Sequence, residues 1–252
     1  MTAVVQPGAE IHPTARLGDF CKVYRGAVIE RDCVIGDHCV IGLPSAGEDA
    51  RPVHLGAGST VRSHTVIYED SQIGACVSTG HHVVIRERSR IGDRVSLGSF
   101  TDVEGHCTIG DDTRLHGYVH IGKGSRIGRF CWIFSLVTLT NDPLPPSAIE
   151  RPVVLGDGVV VCVGCTVLPG TSMGDGAFAT AGTVVQGEIE AGRVVTPDGS
   201  ERHVSTLMDL TTMTRHPFIR HLRQRYPDVV HADLDALAER IAATRRFGQT
   251  PS

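Results

Sequence analysis

Residues 91–127 read IGDRVSLGSFTDVEGHCTIGDDTRLHGYVHIGKGSRI, and an aliphatic residue stands at every sixth place: Ile91, Leu97, Val103, Ile109, Leu115, Ile121 and Ile127. The same beat runs outward in both directions. It holds from Val5 to Ile41, from Leu55 to Leu139 and from Leu155 to Ala191, and Thr79 is its only polar member. A period of six matches neither the 3.6 of a helix nor the 2 of a strand. It fits a short strand and a sharp turn, repeated many times. Glycine often follows the aliphatic, as at Gly74, Gly92, Gly110 and Gly128, where a tight turn needs its freedom. The fourth residue after each aliphatic is small. Six of the eight cysteines stand there: Cys21, Cys33, Cys39, Cys107, Cys131 and Cys165. They read as inward filler of a narrow core, since their spacing matches no zinc signature.

The composition agrees. The 252 residues carry a formal charge of −4, which argues against a nucleic-acid partner bound through its phosphates. Hydrophobic residues at 41% exclude wholesale disorder, and aromatics at 5% point to a thin core. No run of 18 apolar residues would span a membrane. The start, MTAVVQPGAEIHP, lacks the basic and apolar regions of a secretory signal, so a cytoplasmic location is expected.

The beat breaks at loops 42–54 and 140–154, which insert eight and ten extra residues. On a three-faced prism both loops leave from one corner, five coils apart. At roughly 4.8 Å per coil that is about 24 Å, the reach of an extended cofactor arm. The repeat domain is expected over residues 1–198 and a helical extension over 199–252. In the extension, Asp233 would cap a helix with Leu234, Leu237, Ala238 and Ile241 on one face.

Stacked coils place residues 18 apart above one another once the loops are allowed for. One such file reads Phe20, His38, His64, His82, Phe100, Tyr118, Leu136, Gly164, Gly182. Its lower rungs read as an interface stripe. Its glycine end reads as a groove open to a backbone or a ligand. Thirteen histidines supply candidates for general base work near neutral pH, with His81, His82, His106, His116 and His120 on the central coils.

This repeat resembles that of the hexapeptide-repeat family. The resemblance, over about residues 5–196, implies an all-β, left-handed parallel β-helix with a short α-helical C-terminal tail, assembled as a homotrimer. The string from Thr113 to Ser147, TRLHGYVHIGKGSRIGRFCWIFSLVTLTNDPLPPS, resembles the hexapeptide N-acyltransferases that modify the amino group of nucleotide-linked sugars. That implies an acyltransferase with acetyl-CoA as donor, a small polar acceptor such as an amino sugar, and no metal. Asn141 carries over as a catalytic residue and Asp142 as a substrate-binding one, both on the loop. His116 carries over as the catalytic base, with His81 of TGHHVVI as its rival because lipid A-type acyltransferases hold their base there. His82, Tyr118 and His120 would bind the acceptor, and Gly164, Thr180 and Gly182 the cofactor. The chain departs from the family after Val195, where PDGSERH replaces the usual segment.

Two other functions stay open. A γ-carbonic-anhydrase-like zinc enzyme would need a second histidine 36 residues after the first and a third five beyond. From His64 those places hold Phe100 and Gly105, and from His82 they hold Tyr118 and Lys123. A non-catalytic trimeric scaffold would bind a partner through the ring ladder.

Overall fold

Most beats fold into a strand of two residues, the first the more exposed and the second buried, as in Ser96–Leu97, Asp102–Val103 and Thr108–Ile109, while in the first coil Val5, Ile11 and Leu17 are only partly covered or exposed. Two residues cannot bury a core alone, so every strand pairs in parallel with the strand one coil away. His120 and Ile121 register with Asp102 and Val103 below and with Thr138 and Leu139 above. The result is a three-sided parallel β-solenoid of about ten turns, its three sheets holding ten, ten and eleven strands. In this computed structural model residues 2–45, 51–204, 208–209, 214–215 and 223–244 are described. Face 1 is the sheet containing His120–Ile121, face 2 contains Arg126–Ile127, and face 3 contains Trp132–Ile133.

The core is one aliphatic row per face, with the six filler cysteines buried among them. Their thiols point at carbonyls of the neighbouring coil, for example Cys131 Sγ to Gly156 O at 3.1 Å and Cys33 Sγ to Gly56 O at 3.3 Å. Burial pushes the Cys131 thiol up to about 12 and the Cys107 thiol up to about 11, so both stay protonated and unreactive. Thr79, the polar member of the beat, has a local cause. Its hydroxyl accepts the Arg62 N–H at 2.9 Å and lies 3.4 Å from the Thr65 hydroxyl.

At the corners the chain turns through the left-handed region. Fifteen non-glycine residues among those described hold φ between 54° and 63°, including every ring of the Phe20-to-Tyr118 file. Stacking of successive coils fixes these residues there, against a cost of about 1–2 kcal/mol each. Gly98 stands just before such a turn because a Cβ would strike the backbone of His116 and Gly117 in the next coil.

Both loops leave the corner between faces 1 and 2 and are five coils apart, as expected. The first departs after Val40–Leu43 and returns at His54–Leu55; the second departs after Thr138–Leu139 and returns at Val154–Leu155. The first is tied back where the Ser45 N–H and hydroxyl both donate to Glu69, at 2.8 and 2.6 Å. Its residues 46–50 lie outside the described residues.

Two expectations are corrected. The last coil is two residues short: Ile189, not Ala191, takes the core position opposite Met173. Within the expected helical extension, Glu201–His203 is a strand antiparallel to Arg193–Val195. The helix α1 spans His231–Thr244, so it begins before Asp233. Asp233 lies in its first turn and pairs with Arg129 at 2.8 Å. The apolar face of α1 is as read: Leu234, Leu237, Ala238 and Ile241 are buried in a second cluster with Phe130, Val194, Val204 and Tyr226. Gly176 leaves room for it, since a Cβ there would run into Ile241.

Candidate active site

The ten candidate residues divide between the two edges of face 1. His81, His82, His116, Tyr118, Gly164, Thr180 and Gly182 lie at the corner between faces 3 and 1. Asn141 and Asp142 lie at the corner between faces 1 and 2, where the second loop departs. His120 stands on face 1 between them. A single copy therefore does not bring Asn141 to His116 or His81.

The ring file is a continuous stack. Centroid spacings run 4.7, 4.8, 4.6, 4.9 and 4.9 Å from Phe20 through His38, His64, His82 and Phe100 to Tyr118. That is the coil spacing, so the solenoid itself sets the stack. The file then changes character. Leu136 is exposed, and above it Gly164 and Gly182 have nothing within 4 Å of where a Cβ would be. The corner is bare of side chains at these two turns, beside Thr180, whose hydroxyl lies 3.3 Å from that of Thr183. From His116 to Thr180 is three coils, about 14 Å.

His116 sits on the Tyr118 coil, two coils below Gly164 with Leu136 on the coil between, and its ring is turned toward face 3. Its ring stacks on Phe134 at 4.6 Å and lies 6.1 Å from the Trp132 ring. Burial, then the charge of Arg114, pulls its pKa below the ordinary imidazole value, so it is neutral at neutral pH. A neutral imidazole can accept a proton. Two coils below, His81 holds its Nδ1 2.7 Å from the Ser63 hydroxyl and donates its backbone N–H to the Ser99 hydroxyl at 3.0 Å.

His120 has the opposite electrostatics. Its Nδ1 lies 3.2 Å from Asp102 and its Nε2 3.9 Å from Glu104. The hydrogen bond to Asp102 leads in raising its pKa, with both carboxylates adding their charge against partial burial. Such an imidazole favours the charged form, and the two carboxylates leave the cluster net negative, which suits a polar or cationic acceptor rather than an anion. Asp102, Glu104 and His120 are also the one group among the described residues with three potential metal-ligand atoms within 4.8 Å of one another. Nδ1 is held by Asp102, Glu104 accepts the Lys123 N–H at 3.1 Å, and the set is not the three-histidine pattern of a carbonic anhydrase.

On the loop, Asp142 organises its own segment. It accepts from the N–H and hydroxyl of Ser147 at 2.8 and 2.6 Å and from the Leu144 N–H at 3.0 Å, which lowers its pKa. The Asn141 carbonyl accepts the Arg151 N–H at 2.7 Å and so closes the loop's neck. A groove of about 850 Å³ on face 2, lined by Arg51, His54, Gln72, Arg88 and Arg90 among others, contains none of the ten candidates.

Sequence reading missed Trp132, Phe134 and Arg114, which surround His116, and Asp102 and Glu104, which hold His120. Asp102 was within reach, being 18 residues before His120. Trp132 and Phe134 lie inside the quoted Thr113–Ser147 string. Tyr226, which meets Trp132, carried no such signal because it lies outside the repeat.

Comparison with known proteins agrees with the repeat. Residues 88–123 match the family model for the bacterial transferase hexapeptide (six repeats). The sequence-based resemblance to hexapeptide-repeat transferases is thereby borne out. An acyl-[acyl-carrier-protein]–UDP-N-acetylglucosamine O-acyltransferase of Brucella ovis is 37% identical over 71 residues, which is 28% of this chain and 23% of that protein. The same enzyme of Brucella canis matches to the same extent. The chain thus matches under a quarter of the length of these relatives. Among solved structures, the Arabidopsis UDP-N-acetylglucosamine acyltransferase covers 99% of this chain and 97% of its own with a TM-score of 0.58. At 15% identity this likeness is one of fold. No helix among the described residues is long and apolar enough to cross a membrane.

Proposed function

Taking the repeat as that of the hexapeptide transferases, we propose that this chain is an acyltransferase that moves an acyl group from a pantetheine thioester to a small polar acceptor. The observation that carries the proposal is the corner between faces 3 and 1. There a stack of rings gives way to bare glycine at Gly164 and Gly182, within three coils of a neutral imidazole. An extended pantetheine arm fits along that glycine trough with its sulfur toward His116. The finer reading is acetyl-CoA as donor and the amine of a nucleotide-linked amino sugar as acceptor. The Brucella relatives, by name, draw acyl groups from a carrier protein and transfer them to oxygen. Donor carrier and acceptor atom are therefore arms of the test.

The step needs little chemistry from the protein. The acceptor nitrogen or oxygen attacks the thioester carbonyl. The neutral imidazole of His116, with His81 as the rival base, takes its proton. The Asn141 amide and backbone N–H groups steady the oxyanion as it forms. The tetrahedral species collapses, the C–S bond breaks, and the proton passes to the leaving thiolate. Much of the rate comes from holding both reactants in line. His116 and Asn141 lie on opposite edges of face 1, so in this reading they meet across a cleft between two copies of a homotrimer. His82, Tyr118, His120 and Asp142 line the acceptor side, and Gly164, Thr180 and Gly182 the donor side.

The test is thiol release from acetyl-CoA, and from an acyl-carrier-protein thioester, with a panel of nucleotide-linked amino and hydroxy sugars. Acceptor-dependent release that falls at least about 100-fold in His116→Asn or His81→Asn supports the reading. No release with either donor across the panel removes it.

A further inference from the structure

The C-terminal segment reaches the candidate site. Trp132 Nε1–H donates to Tyr226 Oη at 2.6 Å, and the Tyr226 hydroxyl lies 3.5 Å from the Phe130 carbonyl oxygen, within reach to donate to it. Tyr226 is buried, with its ring edge-on to Phe130 at 5.3 Å. Arg114 Nη2 donates to the Arg225 carbonyl at 3.0 Å, and its guanidinium lies 5.5 Å from the Trp132 ring centre and 5.9 Å from that of Tyr226. His231, at the start of α1, holds Nε2 3.1 and 3.0 Å from the carbonyl oxygens of Arg223 and Tyr226, which fixes that turn. A simple cap over the end of the solenoid would need apolar contact only. Here a buried hydroxyl and a backbone carbonyl of the C-terminal segment meet two outward residues of face 3 beside His116: Trp132 on the next coil and Arg114 two residues before it.

We propose that the C-terminal segment completes the acyl-transfer site: Tyr226 fixes the Trp132 indole, and the indole, together with Phe134, fixes the His116 ring. Tyr226, Trp132 and Arg114 are positioning residues for that imidazole. A rotated or hydrated His116 would lose both its aim and its neutral form. The titratable groups about it are Arg114 from its own strand and Tyr226 from the C-terminal segment, and burial keeps the Tyr226 phenol protonated far above neutral pH. The inference rests on the acyl-transfer reading only in assigning His116 as base.

Trp132 is the only tryptophan, so its emission reports this contact without any assay of turnover. A protonated imidazole quenches a neighbouring indole. The emission of the full-length protein therefore titrates with pH at a midpoint below the ordinary imidazole value, and His116→Gln abolishes the titration. Tyr226→Phe keeps the ring but cuts the tie. It moves the midpoint up toward the ordinary value and lowers kcat about tenfold or more, with the KM for the thioester little changed. Arg114→Lys, which keeps the charge that itself lowers the midpoint but loses the guanidinium tie to the Arg225 carbonyl, moves the midpoint the same way and serves if Tyr226→Phe does not fold. A folded Tyr226→Phe with unmoved midpoint and unmoved kcat overturns the proposal while acyl transfer stands. A midpoint that moves in a protein without acyl transfer supports the positioning role and sinks the acyl-transfer reading.

Discussion

Two histidines four residues apart are prepared for different work. His116 is half-buried against Phe134 and Trp132 of the next coil, beside a cation, which holds it neutral; His120 is clasped by Asp102 and Glu104, which favours its charged form. If His116 is the base, kcat/KM rises with pH through a midpoint below the ordinary imidazole value and then stays flat across neutrality. A rate–pH profile checks this, and a midpoint above the ordinary value would transfer the role to another group. For His120 the sign is opposite and concerns stability. Its folded pKa is raised, so its pairing stabilises fully below the ordinary imidazole value and fades as pH rises through the raised one. Thermal unfolding of wild type and Asp102→Asn should therefore differ more in mildly acid than in mildly alkaline buffer. An equal difference in both would show that the pair contributes nothing by charge. The pairing itself was legible, since Asp102 precedes His120 by one coil, but the direction of each shift was not. It depends on how deeply each ring is set and on Arg114 lying over Trp132.

The ring stack belongs to the scale of the element. His64 lies between His38 and His82, and its pKa is lowered by loss of hydration and then by the neighbouring imidazoles. Protonation is thus disfavoured in the fold, and stability falls as pH drops through the ordinary imidazole value. His64→Phe, which extends the phenyl rungs, should lessen this acid sensitivity in a pH series of thermal melts; an unchanged acid slope would mean that the stack carries no such cost. The stack was readable from residues 18 apart because the coil is so regular. The docking of α1 was not. Its helical face at Leu234 and Ile241 was plain, but the bare turn at Gly176 that receives it lies 65 residues before Ile241 and announces only a missing side chain. The short last coil was hidden for a related reason: Gly187 turns the chain early, and both Ile189 and Ala191 are apolar enough to continue the beat.

At the scale of the molecule, one solenoid supplies both halves of the candidate site but on opposite edges of face 1. If two copies complete each cleft, mixed trimers of His116→Asn and Asn141→Ala, each inactive alone, should recover activity. For random equal mixing about a quarter of the clefts carry both intact residues. Recovery near that fraction, measured after co-expression, supports the shared cleft, and no recovery places the whole site within one copy. The fold as a whole was legible because a strictly periodic core leaves a strand-and-turn coil as the fitting solution. The site was legible only as files of residues. In the proposed trimer, which files face each other would depend on how copies pack, and no periodicity records that.

In the proposed reaction the glycine trough seats the thioester arm. Its most direct test is equilibrium binding of coenzyme A to the wild type and to Gly164→Phe/Gly182→Phe. The solenoid holds phenylalanine at the matching turns Phe20 and Phe100 with φ of 60°, so the variant should fold and fill the trough with two more rungs. Binding to the wild type that weakens at least about tenfold in the variant is the predicted result. Equal binding by both proteins, or binding by the wild type of neither coenzyme A nor an acyl-carrier-protein thioester, would contradict it.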